Sequence, residues 1–391
     1  MPVHDESDTY SILSFFSGAG FLDLGFEHSG FTVEFVNEWH KPFLRVYQHS
    51  RKLMGCETPH FGYSSDDVNT FLDDDSRIAS HITALRKQNK LVGFAGGPPC
   101  PDFSVGGKNR GRNGDNGKLS QSYVSLITKN RPDYFLFENV KGLWRTARHR
   151  EFFEELKDQL HQAGYATCER LTNALEFGAP QDRDRILLFG VHNSILREGF
   201  FKDDKLLDFD WGKNIVYNLE EIKAVVWPDT EPFCVDSNTP APDEIAGFEP
   251  LTVEYWFRKN SVDSHPNANR FFTPRQGLQK MKTIDEGDVS KKSYKRLHRW
   301  RYSPTVAYGN NEVHLHPYKE RRLSVAEALA LQSLPKEYVL PNDMTLTDSF
   351  KTIGNGVPYL LAKGIAGSIH DYLIRAIDYE QITRRNERAS R

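Results

Sequence analysis

Apolar positions in the first half of the chain fall into short runs separated by stretches with helical spacing. Residues 10–16, 33–37, 91–95, 134–138 and 186–191 are apolar runs of strand length bounded by polar or glycine-containing segments, which predicts five strands. Between the fourth and fifth, residues 151–164 set Phe152, Phe153, Leu156 and Leu160 on one helical face and close on Gly164, the pattern of a crossover helix. Strands alternating with such helices predict an α/β fold with a mostly parallel sheet covered by helices on both faces. After Val191 the pattern breaks. Acids, prolines and short runs without periodicity fill 202–269, including Pro240-Ala241-Pro242, which predicts a boundary near His192. Helical spacing returns in 324–334 and 359–374, both rich in good helix formers. The expected division is a large domain over 1–192 completed by 350–391, a smaller, irregular β-rich domain over 193–325, and a hinge region over 326–349 that returns to the large domain.

Composition narrows the class. A chain of 391 residues can bury a sizeable core and favours two domains over one. No apolar run approaches the ~20 residues of a membrane helix, and the acidic start from Met1 to Asp8 lacks the pattern of a secretory signal. A cytoplasmic protein without a membrane partner is expected. The four cysteines, Cys56, Cys100, Cys168 and Cys234, have no metal-ligand spacing and are too few for a disulfide framework, so no metal is expected. A net charge of −3 means that any nucleic-acid surface must be local. One stretch offers it: Lys291, Lys292, Lys295, Arg296, Arg299 and Arg301, interleaved with Tyr294, His298 and Trp300 and free of acids. On charge alone, a solvated basic face and a phosphate-binding strip read alike.

Three further stretches carry chemistry. The first strand runs into Ser17-Gly18-Ala19-Gly20, a glycine turn that lets a cofactor approach the backbone. Glu38 closes the second strand, where a carboxylate can accept from ribose hydroxyls; Trp39 offers a flat apolar face, and Asp67-Val68 a further carboxylate. These residues imply an adenosine-containing cofactor, although a tight turn and a surface acid would read the same one by one. Next, Gly96-Gly97-Pro98-Pro99-Cys100-Pro101 follows the third strand and places Cys100 at a strand's carboxyl end, where clefts open in doubly wound sheets. Flanking prolines fix the backbone there, and a thiolate at that point is a nucleophile. Finally, Glu138 ends the fourth strand, and Arg183 and Arg185 alternate ahead of the fifth. Cysteine, glutamate and arginine at neighbouring strand ends supply a nucleophile, a proton donor and an anion clamp.

In this order the stretches resemble the C5-cytosine DNA methyltransferase family over almost the whole chain: FSGAGFLDLGF, GGPPCPDFS, ENV, QDRDRILLFGV, RRLSVAEALALQSLP and, from Gly354 to Pro358, GNGVP. The resemblance implies an S-adenosylmethionine-dependent methyltransferase fold, Rossmann-like, with 193–325 as the target-recognition domain. It implies that Phe16, Gly18, Ala19, Gly20, Glu38, Trp39, Asp67, Val68, Pro98, Asn355 and Val357 line the S-adenosylmethionine site. It also implies that Cys100 attacks C6 of a flipped-out cytosine, that Glu138 binds the N3 edge, and that Arg183 and Arg185 hold the base. Ser104, Lys108, Arg110 and Arg112, in or beside the glycine-rich loop 105–118, would meet DNA. So would Lys291, Lys292, Lys295, Arg296 and Arg299. The partner implied is double-stranded DNA, in a bacterial restriction-modification setting with a cognate endonuclease that acts on the same site without a stable complex; the chemistry needs only a monomer.

Two departures stand out. Ser14 occupies a strand position where the family often carries an acid, and Pro101-Asp102 follows the nucleophile where Gln is usual. Among rivals, a nicotinamide-linked oxidoreductase shares the sheet but requires a third glycine that this turn lacks. A family branch that methylates tRNA lacks a long recognition insert, whereas more than a hundred residues separate Val191 from Ser303 here. A DNA-binding regulator on a dead methyltransferase fold predicts loss of Cys100 or Glu138, and both are present.

Overall fold

The computed structural model describes residues 9–99, 115–145, 147–274, 277–291, 293–306, 308 and 312–389. Its strands are β1 (Tyr10–Phe15), β2 (Thr32–Asn37), β3 (Tyr63–Ser64), β4 (Leu91–Gly96), β5 (Tyr134–Val140), β6 (Tyr165–Asn173), β7 (Gln181–Asp182), β8 (Asp184–His192), β9 (Phe201–Lys202), β10 (Lys205–Leu206) and β11 (Ser303–Pro304). The α-helices are α1 (Phe21–Glu27), α2 (Lys41–Met54), α3 (Thr70–Asp73), α4 (Ser76–Lys87), α5 (Asp115–Asn130), α6 (Gly142–Arg145), α7 (Ala147–Gln162), α8 (Leu219–Ala224), α9 (Val253–Lys259), α10 (Leu278–Lys282), α11 (Val325–Leu331), α12 (Leu346–Asn355), α13 (Tyr359–Ala376) and α14 (Tyr379–Ala389).

Nine strands form one sheet in the order β3-β2-β1-β4-β5-β8-β6-β10-β9. From β3 to β5 neighbours run parallel, whereas β8 lies antiparallel to both β5 and β6. All five strands read from the sequence are present. The central ones are buried on both faces, which is why they appear as nearly continuous apolar runs rather than alternating ones. Leu13, Phe15, Phe94 and Phe137 pack against α4, α5 and α7, while Ile12, Val33 and Leu136 pack against α2 and α13. Helix α1 joins this second layer through a close crossing with α13: a Cβ on Gly25 would lie 2.6 Å from the Ala362 backbone, so only glycine fits. The architecture is α/β with a mostly parallel sheet between helical layers.

The antiparallel β8 matters for the site. Parallel strands deliver to the sheet's upper edge the residues that end them, whereas a reversed strand delivers the residues that begin it. Arg185, at the start of β8, is thereby paired in register with Val140 at the end of β5.

The stretch 193–325 is irregular, but the strand content expected there is small. Among the described residues it holds only the two-residue strands β9, β10 and β11, with the short helices α8, α9 and α10. Pro228, Pro232, Pro240, Pro242 and Pro250 each remove a donor that a ladder would need. Regular packing resumes at α9. Trp256, Phe257, Leu329, Leu331, Tyr338 and Ile353 form a core with Ala19, Phe21 and Leu24, which seats this part of the chain against the start of α1. Helix α11 begins with a capping box in which Ser324 and Glu327 satisfy each other's backbone N–H groups. No helix among the described residues is long and apolar enough to cross a membrane, and among them no cluster of three or more His, Cys, Asp or Glu could hold a metal ion.

Candidate active site

The glycine turn leaves β1 under backbone strain. Phe16 has φ 52°, a left-handed conformation unusual for a bulky residue, and Gly18 and Gly20 follow at 57° and 79°. Above Gly18 the space is open among the described residues, since a Cβ there would meet none of their atoms within 4 Å. Glu38 stands opposite: Oε2 accepts from Gly18 N at 2.8 Å and Oε1 from His40 N at 2.7 Å. Burial pushes its pKa up, and these two N–H donors pull it back. Trp39 is 70% exposed, so its indole face is available. Asp67 is exposed and accepts from the Asn69 backbone and side chain, while Val68 and Ala19 are buried beneath the surface. Phe16 is half-buried, edge-on to Tyr123. The C-terminal motif reaches this turn because Gly356 lies against Phe21, whose ring would be 2.1 Å from a Cβ at that position. Asn355 is exposed beside that contact and Val357 is buried. Ser14, in place of an acid, donates to Asp23 Oδ1 at 2.8 Å.

The second cluster lies where β4, β5 and β8 meet. The register that pairs Val140 with Arg185 puts Glu138 diagonally across from Arg185 on one face. Arg185 Nε stands 2.6 Å from Glu138 Oε1, with both side chains about nine-tenths buried. The other oxygen, Oε2, faces the turn after β4, where a Cβ on Gly97 would approach it to 2.5 Å. Any side chain at that position would push the carboxylate out of its present place. The next residue, Pro98, is buried, and its carbonyl accepts from Asn139 Nδ2 at 3.4 Å. Cys100 lies outside the described residues, as do Pro101, Asp102, Ser104, Lys108, Arg110 and Arg112.

Arg183 has a different task from the one its motif suggested. Its guanidinium is buried and donates to Val306 O and Gly354 O, each at 2.8 Å, and to Gln181 Oε1. Burial, reinforced by the Arg185 charge, lowers its pKa. It ties the start of β8 to the end of α12 and so positions the GNGVP turn. Gln181, to which the sequence reading gave no role, joins the same network: it donates to Leu331 O and Gln332 Oε1, and Gln332 donates to Ile353 O. The signal was present, because Gln181 opens the motif that contains both arginines.

The basic run divides. Lys291 is exposed and Lys295 half-buried, while Lys292 lies outside the described residues. Arg296 and Arg299 are buried, which corrects the expectation that they lie on an open surface ready to meet DNA. Arg296 is fully buried over the Phe233 ring and donates to the carbonyls of Met281, Ile284, His316 and Lys319. Arg299 closes on Glu286 and Ser237. A run without acids looks solvated in sequence, but these arginines replace the ladder hydrogen bonds that the surrounding segment lacks. Between them, His298 is held neutral, its pKa pushed down by burial to about 4.

Residues 10–371 match the family described as C-5 cytosine-specific DNA methylase. The chain is 55% identical over 373 residues to the Type II methyltransferase M.NmeDI of Neisseria meningitidis serogroup C, an alignment covering 95% of this chain and 86% of that protein. It is 28% identical over 374 residues to the Type II methyltransferase M.FnuDI of Fusobacterium nucleatum, covering 92% and 95%. Among solved structures, the fold is similar to a chain described as a DNA modification methyltransferase encoded within an E. coli prophage, with TM-score 0.62, 21% identity and coverage of 94% and 100%. It is also similar to the S. pombe Dnmt2 methyltransferase, with TM-score 0.56, 12% identity and coverage of 93% and 98%.

Proposed function

This chain belongs to the C-5 cytosine-specific DNA methylase family, and on that premise we propose that it transfers a methyl group from S-adenosylmethionine to C5 of a cytosine flipped out of duplex DNA, with Cys100 as the covalent nucleophile. The observation that carries this reading is the Glu138–Arg185 pair, which opens onto the Gly97 turn three residues before Cys100.

The residues present fit the cofactor: an open backbone at Gly18, a carboxylate fixed at the end of β2 and an exposed indole beside it match a ribose and an adenine. Glu38 would hold the ribose, Trp39 and Val68 the base, and Phe16, Ala19, Gly20, Asp67, Pro98, Asn355 and Val357 the remaining wall. When bound, the cofactor supplies an electrophilic methyl group on a sulfonium.

The chain's own residues prepare the acceptor. Addition of the Cys100 thiolate to C6 pushes electron density onto C5, and later loss of the C5 proton breaks the sulfur–carbon bond. Glu138 binds the N3 edge and holds a proton there, which stabilises the charge developing in the ring. Arg185 orients Glu138 through its ion pair. Arg183 acts as a positioning residue, through the GNGVP turn. Flipping the base costs a few kcal/mol, offset by contacts to phosphate. Lys291, Lys292 and Lys295, with Ser104, Lys108, Arg110 and Arg112, are the candidates for those contacts.

Residues 193–325 would form the target-recognition domain, with 326–349 as the hinge back to a catalytic domain built from 1–192 and 350–391. The enzyme would act in a Type II restriction-modification setting, a reading supported by the named relatives, which are Type II methyltransferases, and as a cytoplasmic monomer on sites shared with a cognate endonuclease. The test is transfer of label from S-adenosylmethionine to varied duplexes, with 5-fluorocytosine duplexes to trap the adduct. Wild type is expected to label cytosine C5 and form the adduct, and Cys100→Ala to do neither. Transfer to RNA alone, or undiminished transfer by the variant, would overturn the proposal.

A further inference from the structure

Two carbonyl groups of the 17–20 turn are held from behind by side chains that lie in none of the family motifs. Arg51 on α2, 2% exposed, donates from Nη2 to Gly20 O at 2.8 Å. Tyr338, fully buried in the segment after α11, donates its hydroxyl to Ala19 O at 2.6 Å. A peptide group is planar and trans, so fixing the direction of its carbonyl fixes the N–H on the other side. Holding two successive carbonyls therefore locks two successive peptide planes of the turn. The ring of Tyr47 closes the underside, where it would be 2.4 Å from a Cβ on Gly20, and Arg51 stacks over that ring at 4.5 Å. Arg51 is itself held by Glu27 at 2.9 Å. A buried guanidinium is costly to desolvate, and a simple βα turn does not need one. Here it converges with a buried phenol on adjacent carbonyls of one loop.

We propose that Arg51 and Tyr338 are positioning residues for the methyl donor: they hold the glycine turn in its receiving shape before the cofactor arrives. This rests on the reading of the turn as the S-adenosylmethionine site. Preorganisation of this kind acts on cofactor binding in ground and transition states alike, so its loss raises KM and leaves kcat nearly unchanged.

The test compares wild type, Tyr338→Phe and Arg51→Lys by calorimetric titration with S-adenosylhomocysteine, by steady-state kinetics on genomic DNA and by thermal unfolding. Tyr338→Phe removes one hydrogen bond and is expected to weaken binding about fivefold. Arg51→Lys keeps the charge but loses the planar fork, and is expected to weaken binding about tenfold. In both, kcat at saturating cofactor stays within about twofold and the rise in KM tracks the binding loss. Unchanged affinity in Tyr338→Phe, with or without a lower Tm, overturns the proposal even if Arg51→Lys fails to fold. So does a fall in kcat with affinity retained. Failure of wild type to bind S-adenosylhomocysteine would overturn both this inference and the reading beneath it, whereas binding by wild type with equal affinity in the variants overturns the inference alone.

Discussion

Two buried arginine–carboxylate pairs invite comparison: Arg185 with Glu138 at the sheet edge, and Arg299 with Glu286 in the middle of the chain. They are similar in length, 2.6 and 2.8 Å, and both are largely shielded from water. They differ in how they close. Arg299 gives Nε and Nη2 to Glu286 and Nη1 and Nη2 to Ser237, and its backbone N–H also donates to Glu286, so both carboxylate oxygens have partners. Arg185 meets one oxygen of Glu138, and the other looks across to the Gly97 turn. A buried charge pair that closes on itself holds the fold together. One that leaves an oxygen open toward a neighbouring turn is available for the chemistry proposed here.

The largest effect expected from this contrast is on stability. Arg299→Met leaves Glu286 as a buried unpaired charge, and urea unfolding should show a loss of about 3–5 kcal/mol while the folded fraction keeps its methylation rate. Loss of activity with full stability would return Arg299 to the DNA surface. The converse is Glu138→Gln, which should lower kcat by a factor of about 10²–10³ and shift Tm by no more than a few degrees. If it mainly unfolds the protein, the two pairs are alike and the contrast fails.

A third cluster is intermediate. Burial pushes Glu27 up from 4.5 to about 7, against the pull of Arg51. The fold therefore favours the protonated carboxyl: that stabilisation is complete below pH 4.5 and is lost as pH rises through about 7. Its side chain is 21% exposed, which reduces the effect to the order of 2 kcal/mol. Denaturant titrations across this window should show Glu27→Gln losing less stability than wild type. The smallest effect concerns DNA. Lys291→Ala and Lys295→Ala should each reduce the salt slope of DNA binding by about 1, with little dependence on sequence.

The fold was legible wherever apolar runs were uninterrupted, as in β1, β4 and β5. The direction of β8 was not, because periodicity carries no sign for parallel or antiparallel pairing. Nor was β6, where the half-buried stretch from Cys168 to Leu171 mixes polar and apolar residues. In the site, Glu38 directly follows β2 and Arg185 is the second residue of β8, whereas Glu138 lies two residues inside β5, which runs on to Val140. Arg296 and Arg299 were misread because their partners, backbone carbonyls and Glu286, lie outside the run. Arg51 and Tyr338 left no trace in sequence, since they bind backbone atoms 31 and 319 residues away.

The seat of Gly356 on Phe21, and of α13 on α1, also bears on how the chain is made. As it leaves the ribosome, the first helix exposes Leu24 and Phe26 long before its covering helix exists. At about 5–20 residues per second, that interval is on the order of half a minute. On the proposed reading, the cofactor pocket is completed only once α13 has been made, and a nascent chain shorter than that can neither bind its methyl donor productively nor modify DNA.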